Sequence, residues 1–91
     1  MTRHDMIAKG WLTETPHTTF TRPVEEAGHY QDAETGYWYN VAWRDGQLSV
    51  ATVGYSAAYL ALLADYERAH GPVMDRATGA AFDAWLDARQ A

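Results

Sequence analysis

Length, composition and charge restrict what this chain of 91 residues can be. It contains no cysteine, which excludes disulfides, thiolate metal sites and a cysteine nucleophile. Twelve acidic against seven basic side chains give a formal net charge of −5, and the basic residues are not clustered, which argues against direct nucleic-acid binding. The sequence shows neither an apolar run that could span a bilayer nor a signal-peptide core, so we expect one cytoplasmic domain over residues 1–91.

The N-terminal third of the chain is expected to supply a short helix and one edge strand. Thr2 can cap a helix over roughly residues 3–11. The Thr-rich stretch near 18–22 has strand character, but the proline that follows it lacks the amide that a central strand requires. We therefore place this stretch at the edge of a sheet. Residues 25–36 are polar and indicate a loop, with a short strand over 28–31 as an alternative.

The clearest local signal is a β-hairpin over residues 37–53. Two runs rich in aromatic and β-branched side chains flank Asp45 and Gly46, a dipeptide that type I′ hairpin turns favour. A two-residue turn also fixes which residues face each other. It predicts, for example, that Tyr39 faces Thr52 across the ladder.

Side-chain alternation divides this hairpin into two faces. The tyrosine face is the predicted core and carries Tyr37, Tyr39, Val41, Trp43, Leu48 and Val50. The tryptophan face carries Trp38, Asn40, Ala42, Arg44, Gln47, Ser49, Ala51 and Val53. Either the N-terminal segment covers the tryptophan face, or it is an ordinary surface, or a partner binds there, because aromatic residues are enriched in interface cores. On the last interpretation the candidate partner-binding residues are Trp38, Asn40 and Arg44.

Two helices are predicted after the hairpin. Ser56 is a predicted N-cap for a helix that runs to about residue 70, where Gly71 ends it. A second helix is predicted over about 73–89, and Gly79 inside it indicates a close approach to a neighbouring backbone. The apolar face of this second helix consists of Met74, Ala77, Ala81, Phe82, Trp85 and Leu86. The predicted fold is therefore α+β, with a three-stranded antiparallel sheet and a helical hairpin packed on its tyrosine face.

The residues that could carry chemistry form no recognisable constellation. The two serines, Ser49 and Ser56, lie on a predicted strand and at a predicted helix start, not in a nucleophile turn. The four histidines lack the spacing of metal ligands, and no glycine-rich phosphate loop is present. We expect neither catalysis nor a bound metal or other cofactor.

A stripe of acidic side chains is the second candidate site. Asp75, Asp83 and Asp87 recur at multiples of four along the last predicted helix, opposite its apolar face. One interpretation is a solvated helix face. The other is an acidic patch that binds a basic groove of a partner protein, as proteins that imitate nucleic-acid phosphates do.

These features favour a non-catalytic protein-binding module, without a nucleic-acid or membrane partner. Its most concrete form is a small acidic inhibitor from a phage or mobile element, which blocks a nucleic-acid-binding host protein such as a CRISPR effector. Small size, acidity and an Arg- and Ala-rich composition typical of GC-rich genomes motivate this hypothesis. A homo-oligomer, joined through the tryptophan face or the edge strand, is one alternative. A small-molecule-binding module is another, with a pocket lined by Tyr37, Tyr39, Tyr59, Tyr66 and Trp85.

Overall fold

The fold is known from a computed structural model that describes residues 1–90, without the side chain of Gln90. Ala91, the last residue of the predicted domain, lies outside the described residues. The elements, in chain order, are α1 Arg3–Ala8, β1 Leu12–Thr13, β2 Gly28–Gln31, β3 Trp38–Arg44, β4 Gln47–Tyr55, α2 Ala57–His70 and α3 Arg76–Gln90. The strands form an antiparallel sheet in the order β1-β4-β3-β2. The α+β class is confirmed, but the sheet has four strands where three were predicted. No helix of the described chain combines the length and apolar character that a membrane span requires.

Capping side chains fix the start of the first two helices, as the sequence predicts. The Thr2 hydroxyl accepts a hydrogen bond from the Asp5 amide, and the Asp5 carboxylate accepts one from the Thr2 amide, both at 3.1 Å. Ser56 accepts the Tyr59 amide at 3.1 Å. These bonds satisfy amides that have no partner within the first turn of a helix.

The last helix begins later than predicted because Asp75 caps it. The Asp75 carboxylate accepts the Thr78 amide at 2.8 Å, and the Thr78 hydroxyl accepts the Asp75 amide at 3.0 Å. The helix therefore begins at Arg76, three residues after the predicted start at 73. Met74 precedes the helix and is 73% exposed, so its assignment to the apolar face is wrong.

The predicted edge strand near 18–22 is reduced to a single bridge between Phe20 and Asp32. A backbone hydrogen bond of 2.7 Å from Ala33 to Thr19 accompanies this bridge. The stretch therefore lies beside β2, the strand that the sequence offered only as an alternative, and not beside the hairpin. Prolines on both sides of the stretch cannot donate to a ladder, which limits its pairing. The fourth strand is β1, which pairs with the end of β4.

The hairpin has the predicted register near its turn and departs from it further along. Asp45 and Gly46 have φ values of 51° and 76°, the positive values that a type I′ turn requires. Beyond the first four pairs, three residues of β4 oppose one residue of β3, and Tyr39 faces Gly54 instead of Thr52. A shift by two residues keeps the regularly paired residues on both sides of it on their predicted faces.

The ring of Tyr39 gives a physical reason for this shift. Its side chain is 1% exposed, and its ring lies against Gly54, the only glycine of β4. A Cβ atom added at Gly54 would stand 2.7 Å from the Tyr39 Cζ atom. Thr52 in that position would overlap with the ring, so the two additional residues of β4 bring a glycine under it.

The segment between β1 and β2 covers the tyrosine face, so the predicted helical cover there is wrong. The Phe20 ring lies 5.5 Å from the ring of Tyr30 and 6.1 Å from that of Tyr39. The Tyr39 hydroxyl donates to the carbonyl of Thr15 at 2.6 Å, and the Tyr30 hydroxyl donates to the carbonyl of Glu26 at 2.8 Å. Buried tyrosine hydroxyls need acceptors, and an irregular segment has carbonyls free that a helix has already used.

The helices pack on the tryptophan face instead, at the end where Tyr55 pairs with Trp38. Tyr59 of α2 stacks on Tyr55 with ring centroids 5.0 Å apart, and Phe82 of α3 lies 5.9 Å from Tyr59. The buried core of this helical layer consists of Tyr66, Phe82 and Leu86. The sequence predicts the helices on the tyrosine face and offers the N-terminal segment as a cover for the tryptophan face. The structure has the reverse arrangement.

A Cβ atom at residue 54 would force the buried Tyr39 ring to move, although the hydrogen bond of its hydroxyl to Thr15 holds the ring in place. We therefore predict that Gly54→Ala destabilises the fold by about 1–3 kcal/mol. The free energy of unfolding in urea measures this. Gly79→Ala is the matched control. Apart from its chain neighbours and the backbone of its own helix, no atom lies within 4 Å of a Cβ added there, so the predicted close approach at Gly79 is wrong. This control should stabilise the helix by about 0.5–1 kcal/mol. Wild-type stability of Gly54→Ala would show that Tyr39 does not fix the register.

Candidate interaction site

Trp38, Asn40 and Arg44 lie on the tryptophan face, as side-chain alternation predicts. Trp38 is half-buried near the helices, whereas Asn40 and Arg44 are exposed further along the strand. The helices therefore cover one end of the tryptophan face and leave its other end, toward the turn, open. The structure brings these three predicted site residues together on one surface.

A groove runs between Trp38 and helix α2, and we call it the α2 groove. It has a volume of about 570 Å³ and is lined by Trp38, His29, Leu60, Ala61, Leu63 and Ala64, among others. An adjoining depression extends it along the sheet to Asn40 and Tyr55. The groove is apolar because α2 presents leucine and alanine side chains there. Its polar lining residues are His29 and Glu67.

The polar residue at the α2 end of the groove is Glu67. Its carboxylate accepts the Val73 amide at 2.9 Å, and its carbonyl accepts the Gly71 amide at 2.9 Å. Glu67 therefore closes the link between α2 and α3. Its carboxylate is therefore engaged with Val73, whereas small-ligand sites need polar groups that converge on the ligand.

A second depression lies on the open end of the tryptophan face. It has a volume of about 270 Å³ and is lined by Asn40, Ala42, Arg44, Ser49 and the irregular part of β4. Small side chains at Ala42, Ser49 and Ala51 make this surface concave. Arg44 supplies the only charge among its lining residues.

The acidic stripe is engaged in contacts within the chain. Asp75 caps α3, and the Thr78 amide lowers the pKa of its carboxyl. Asp83 and Asp87 accept hydrogen bonds from the α-ammonium group of Met1 at 2.9 and 2.8 Å. The bonds to Asp87 and Asp83 raise the pKa of that group to about 10. Asp75 precedes α3, whereas Asp83 and Asp87 lie on it, and a cation of the same chain already contacts the latter two.

No sequence pattern indicated the contact of Met1 with Asp83 and Asp87, because these partners are more than 80 residues apart in the chain. The Met1 side chain is 3% exposed and packs on the helical core. Met1 thus anchors the N-terminus to α3 by its apolar side chain as well as by its charge.

Asp32 is a buried carboxylate whose place the sequence did not predict. It is 1% exposed and accepts the Glu34 amide at 3.0 Å and the Thr35 hydroxyl at 3.1 Å. These donors, with the amides of Thr18 and Thr19, hold the pKa of Asp32 below its usual range. Asp32 therefore joins the segment that covers the tyrosine face to the turn before β3. The run Asp32-Ala33-Glu34-Thr35-Gly36 is typical of a turn in which the Asp side chain bonds to the backbone two residues on, and it could have indicated the role of Asp32 in this turn.

The histidines are dispersed through the fold. The ring of His17 stacks on Phe20 at 4.5 Å, and that of His70 lies 4.6 Å from Tyr66. Within residues 1–90, no three His, Asp or Glu side chains are arranged to hold a metal ion.

The five aromatic residues of the alternative ligand pocket are divided between the two layers. Tyr39 lies under the N-terminal segment, whereas Tyr66 and Trp85 pack against each other in the helical layer at 5.5 Å. The Tyr37 hydroxyl donates to the carbonyl of Gly10 at 3.1 Å. These residues do not line one cavity; of the five, only Tyr59 borders the depression beside the α2 groove.

Comparison with known proteins does not assign the chain to a family. No protein-family model, curated protein or solved structure matches it. The candidate surfaces therefore rest on the contacts, burial and charge of this chain's own residues.

The contacts of Met1 predict a loss of stability as the pH rises from about 8 to about 10. The pKa of the α-amino group is about 10 in the fold against an ordinary 8.0. Its stabilising charge is therefore fully present below pH 8 and is lost as the pH rises through the folded pKa. Urea unfolding across this range measures the effect. Only pH values below 10 should be compared. Burial raises the pKa of Tyr59 from 10.0 to about 12, so ionisation of this tyrosine in the unfolded chain adds a second pH dependence above pH 10.

The double variant Asp83→Asn, Asp87→Asn should lose most of this pH dependence. Asp65→Asn is the matched control, since Asp65 pairs with Arg68 on α2 and not with the terminus. The control should keep the wild-type dependence. An equal slope in the double variant would show that the ammonium does not bind these carboxylates in solution.

Proposed function

We propose that this chain is a non-catalytic protein-binding module whose partner inserts apolar side chains into the α2 groove. The observation that supports it is the incomplete burial of apolar groups there. Trp38, Leu60 and Leu63 are only half-buried, and they stand beside the exposed Ala61 and Ala64. An aromatic side chain in an apolar depression is a common feature of the core of a protein interface.

The polar rim of this surface would give the partner its orientation. His29 and Asn40 are exposed next to Trp38, and Arg44 follows on the same face of β3. A partner that covers the groove and extends along β3 would therefore contact all three predicted hairpin residues. Rim contacts of this kind set specificity more than affinity.

The overall charge of −5 favours a partner with a basic surface, because opposite charge raises the rate of encounter. The inhibitor hypothesis, in which the partner is a nucleic-acid-binding host protein such as a CRISPR effector, is one form of this proposal. Small size and acidity support it. The acidic stripe gives it less support than the sequence indicated, since Met1 occupies Asp83 and Asp87.

A small-molecule ligand is a second candidate for the same groove. Its volume of about 570 Å³ lies within the range of ligand sites, and its lining is apolar and aromatic. Ligand sites also need a few polar groups aimed at the ligand, and the Glu67 carboxylate is already bonded to Val73. The protein-binding proposal therefore accounts for the groove better.

Substitution of Ala61 by arginine tests the proposal, because this exposed alanine lines the groove and its replacement costs α2 little stability. Ala58→Arg, at another exposed position of α2, is the matched control. Tagged wild type and both variants would capture proteins from bacterial lysates, with identification by mass spectrometry and titration of the purified partner. We expect Ala61→Arg to weaken binding by about tenfold or more, the effect of blocking an interface core, and Ala58→Arg to bind as wild type.

Two results would contradict the proposal. A partner that binds wild type and Ala61→Arg equally would place the interface elsewhere. If wild type retains no protein and instead binds small apolar molecules in the groove, the small-molecule alternative would replace it.

A further inference from the structure

The outer edge of β4 is an unpaired strand edge. β1 pairs only with Gly54 and Tyr55, at the end of β4, so the stretch Gln47–Val53 has β3 on one side. Among residues 1–90, no other segment is hydrogen-bonded to the opposite side of this stretch. Such an edge presents a row of free amides and carbonyls on which another strand can pair.

Most of the devices that block an edge are absent from this stretch. Lysine, proline and inward-pointing charges are the usual ones. Residues 47–64 contain no charged side chain and no proline. Only the irregular pairing at 51–53 interrupts the edge, and it leaves the four residues next to the turn, 47–50, in regular pairing with β3.

The ladder of β1 and β4 shows which backbone groups of the edge are free. The Ser56 amide donates to the carbonyl of Trp11 at 2.9 Å, so residue 56 directs its backbone groups outward from β3. Backbone direction alternates along a strand, and the shift of two residues preserves the alternation. Leu48 and Val50 therefore also direct their amides and carbonyls to the open edge.

We propose that two copies of the chain pair antiparallel through this edge and form one continuous sheet of eight strands. The two-fold axis passes at Ser49, so that Leu48 of each copy exchanges backbone hydrogen bonds with Val50 of the other. This register uses the outward-directed groups of both residues. It also stays within the regular part of β4.

The side chains of this edge suit a second copy of the same chain. On the tyrosine face, Leu48 lies opposite Val50 of the other copy, an aliphatic cross-strand pair. Trp43 pairs with Leu48 within each hairpin and is 62% exposed, so it extends the same apolar strip. On the other face the two Ser49 side chains meet, which are small and neutral.

The paired stretch itself carries no charge that would oppose a second copy. The strand is uncharged, and a two-fold axis at Ser49 places no like charges opposite each other. The charged residues of the turn, Arg44 and Asp45, lie outside the paired stretch. A partner strand selected for its charge has no opposite charge to pair with in this stretch, whereas self-pairing brings together only small or aliphatic neutral side chains at residues 48–50.

The oligomeric state of the full chain tests the proposal. Sedimentation equilibrium of wild type, from micromolar to about millimolar concentration, should show a monomer–dimer equilibrium, since a short edge makes a small interface. Ser49→Lys should weaken the dimer by about tenfold or more, because it sets like charges directly opposite each other. Ala42→Lys is the matched control, since Ala42 pairs with Ser49 on the same face but one strand further in. The two lysines would then be about 14 Å apart, beyond the screening length at 0.1 M salt, and the dimer should persist.

A cysteine at the axis gives a second measurement that does not depend on the lysine variant folding. Residues opposite each other without mutual hydrogen bonds have Cα atoms about 4.5 Å apart, which a disulfide can span. Oxidised Ser49→Cys should therefore form a covalent dimer far faster than Thr52→Cys, an exposed control on the same strand. A wild type that stays monomeric at millimolar concentration would overturn the proposal. A dimer that Ser49→Lys leaves intact, without preferential cross-linking at residue 49, would overturn it equally.

The edge and the α2 groove involve different residues, so the two proposals fail separately. Ala61→Arg changes the groove and should leave the monomer–dimer equilibrium as in wild type. Ser49→Lys changes the edge and leaves every residue that lines the α2 groove unchanged.

Discussion

The burial of Tyr39 is the constraint on which most of this fold depends. Its ring fills the space over Gly54 and therefore fixes where the end of β4 lies against β3. Its hydroxyl donates to the carbonyl of Thr15 at 2.6 Å and so fixes the segment that covers the ring. One side chain thus determines both the register within the sheet and the path of an irregular segment across it. An apolar residue at this position could do the first but not the second, because only the hydroxyl needs an acceptor.

The choice of cover for each face follows from the same requirement. The tyrosine face carries two buried hydroxyls, and the segment between β1 and β2 has the free carbonyls to accept from them. The helices, whose carbonyls are bonded internally, pack where Tyr55 and Trp38 present rings instead. The helical layer reaches only one end of the hairpin. The other end, with the open edge of β4 and the exposed Trp43, is left as surface.

Features set by a few neighbouring residues were predictable from the sequence, and those set by distant contacts were not. The caps at Thr2 and Ser56 and the turn at Asp45 need only local hydrogen bonds and backbone preference, and the structure has all three. The sequence could also assign Trp38, Asn40 and Arg44 to one face, because alternation is local. The two additional residues of β4, the exchange of covers and the contact of Met1 with α3 depend on packing between segments far apart in sequence. No periodicity indicates such contacts, since the same apolar face can pack on either layer.

The contact of Met1 with Asp83 and Asp87 changes which property of the surface is open to a partner. A row of carboxylates attracts a basic groove only if no cation already neutralises it, and here the α-ammonium group lies between two of the three. What the fold leaves open is the half-buried Trp38 beside α2 and the unpaired backbone of β4. A partner at either surface would bind by excluding water or by completing a hydrogen-bond ladder, and such binding would weaken little as salt rises, unlike contacts between exposed charges. In the proposed complexes, charge on this chain would therefore act on the rate of encounter, and apolar contact and strand pairing would act on the lifetime of the complex.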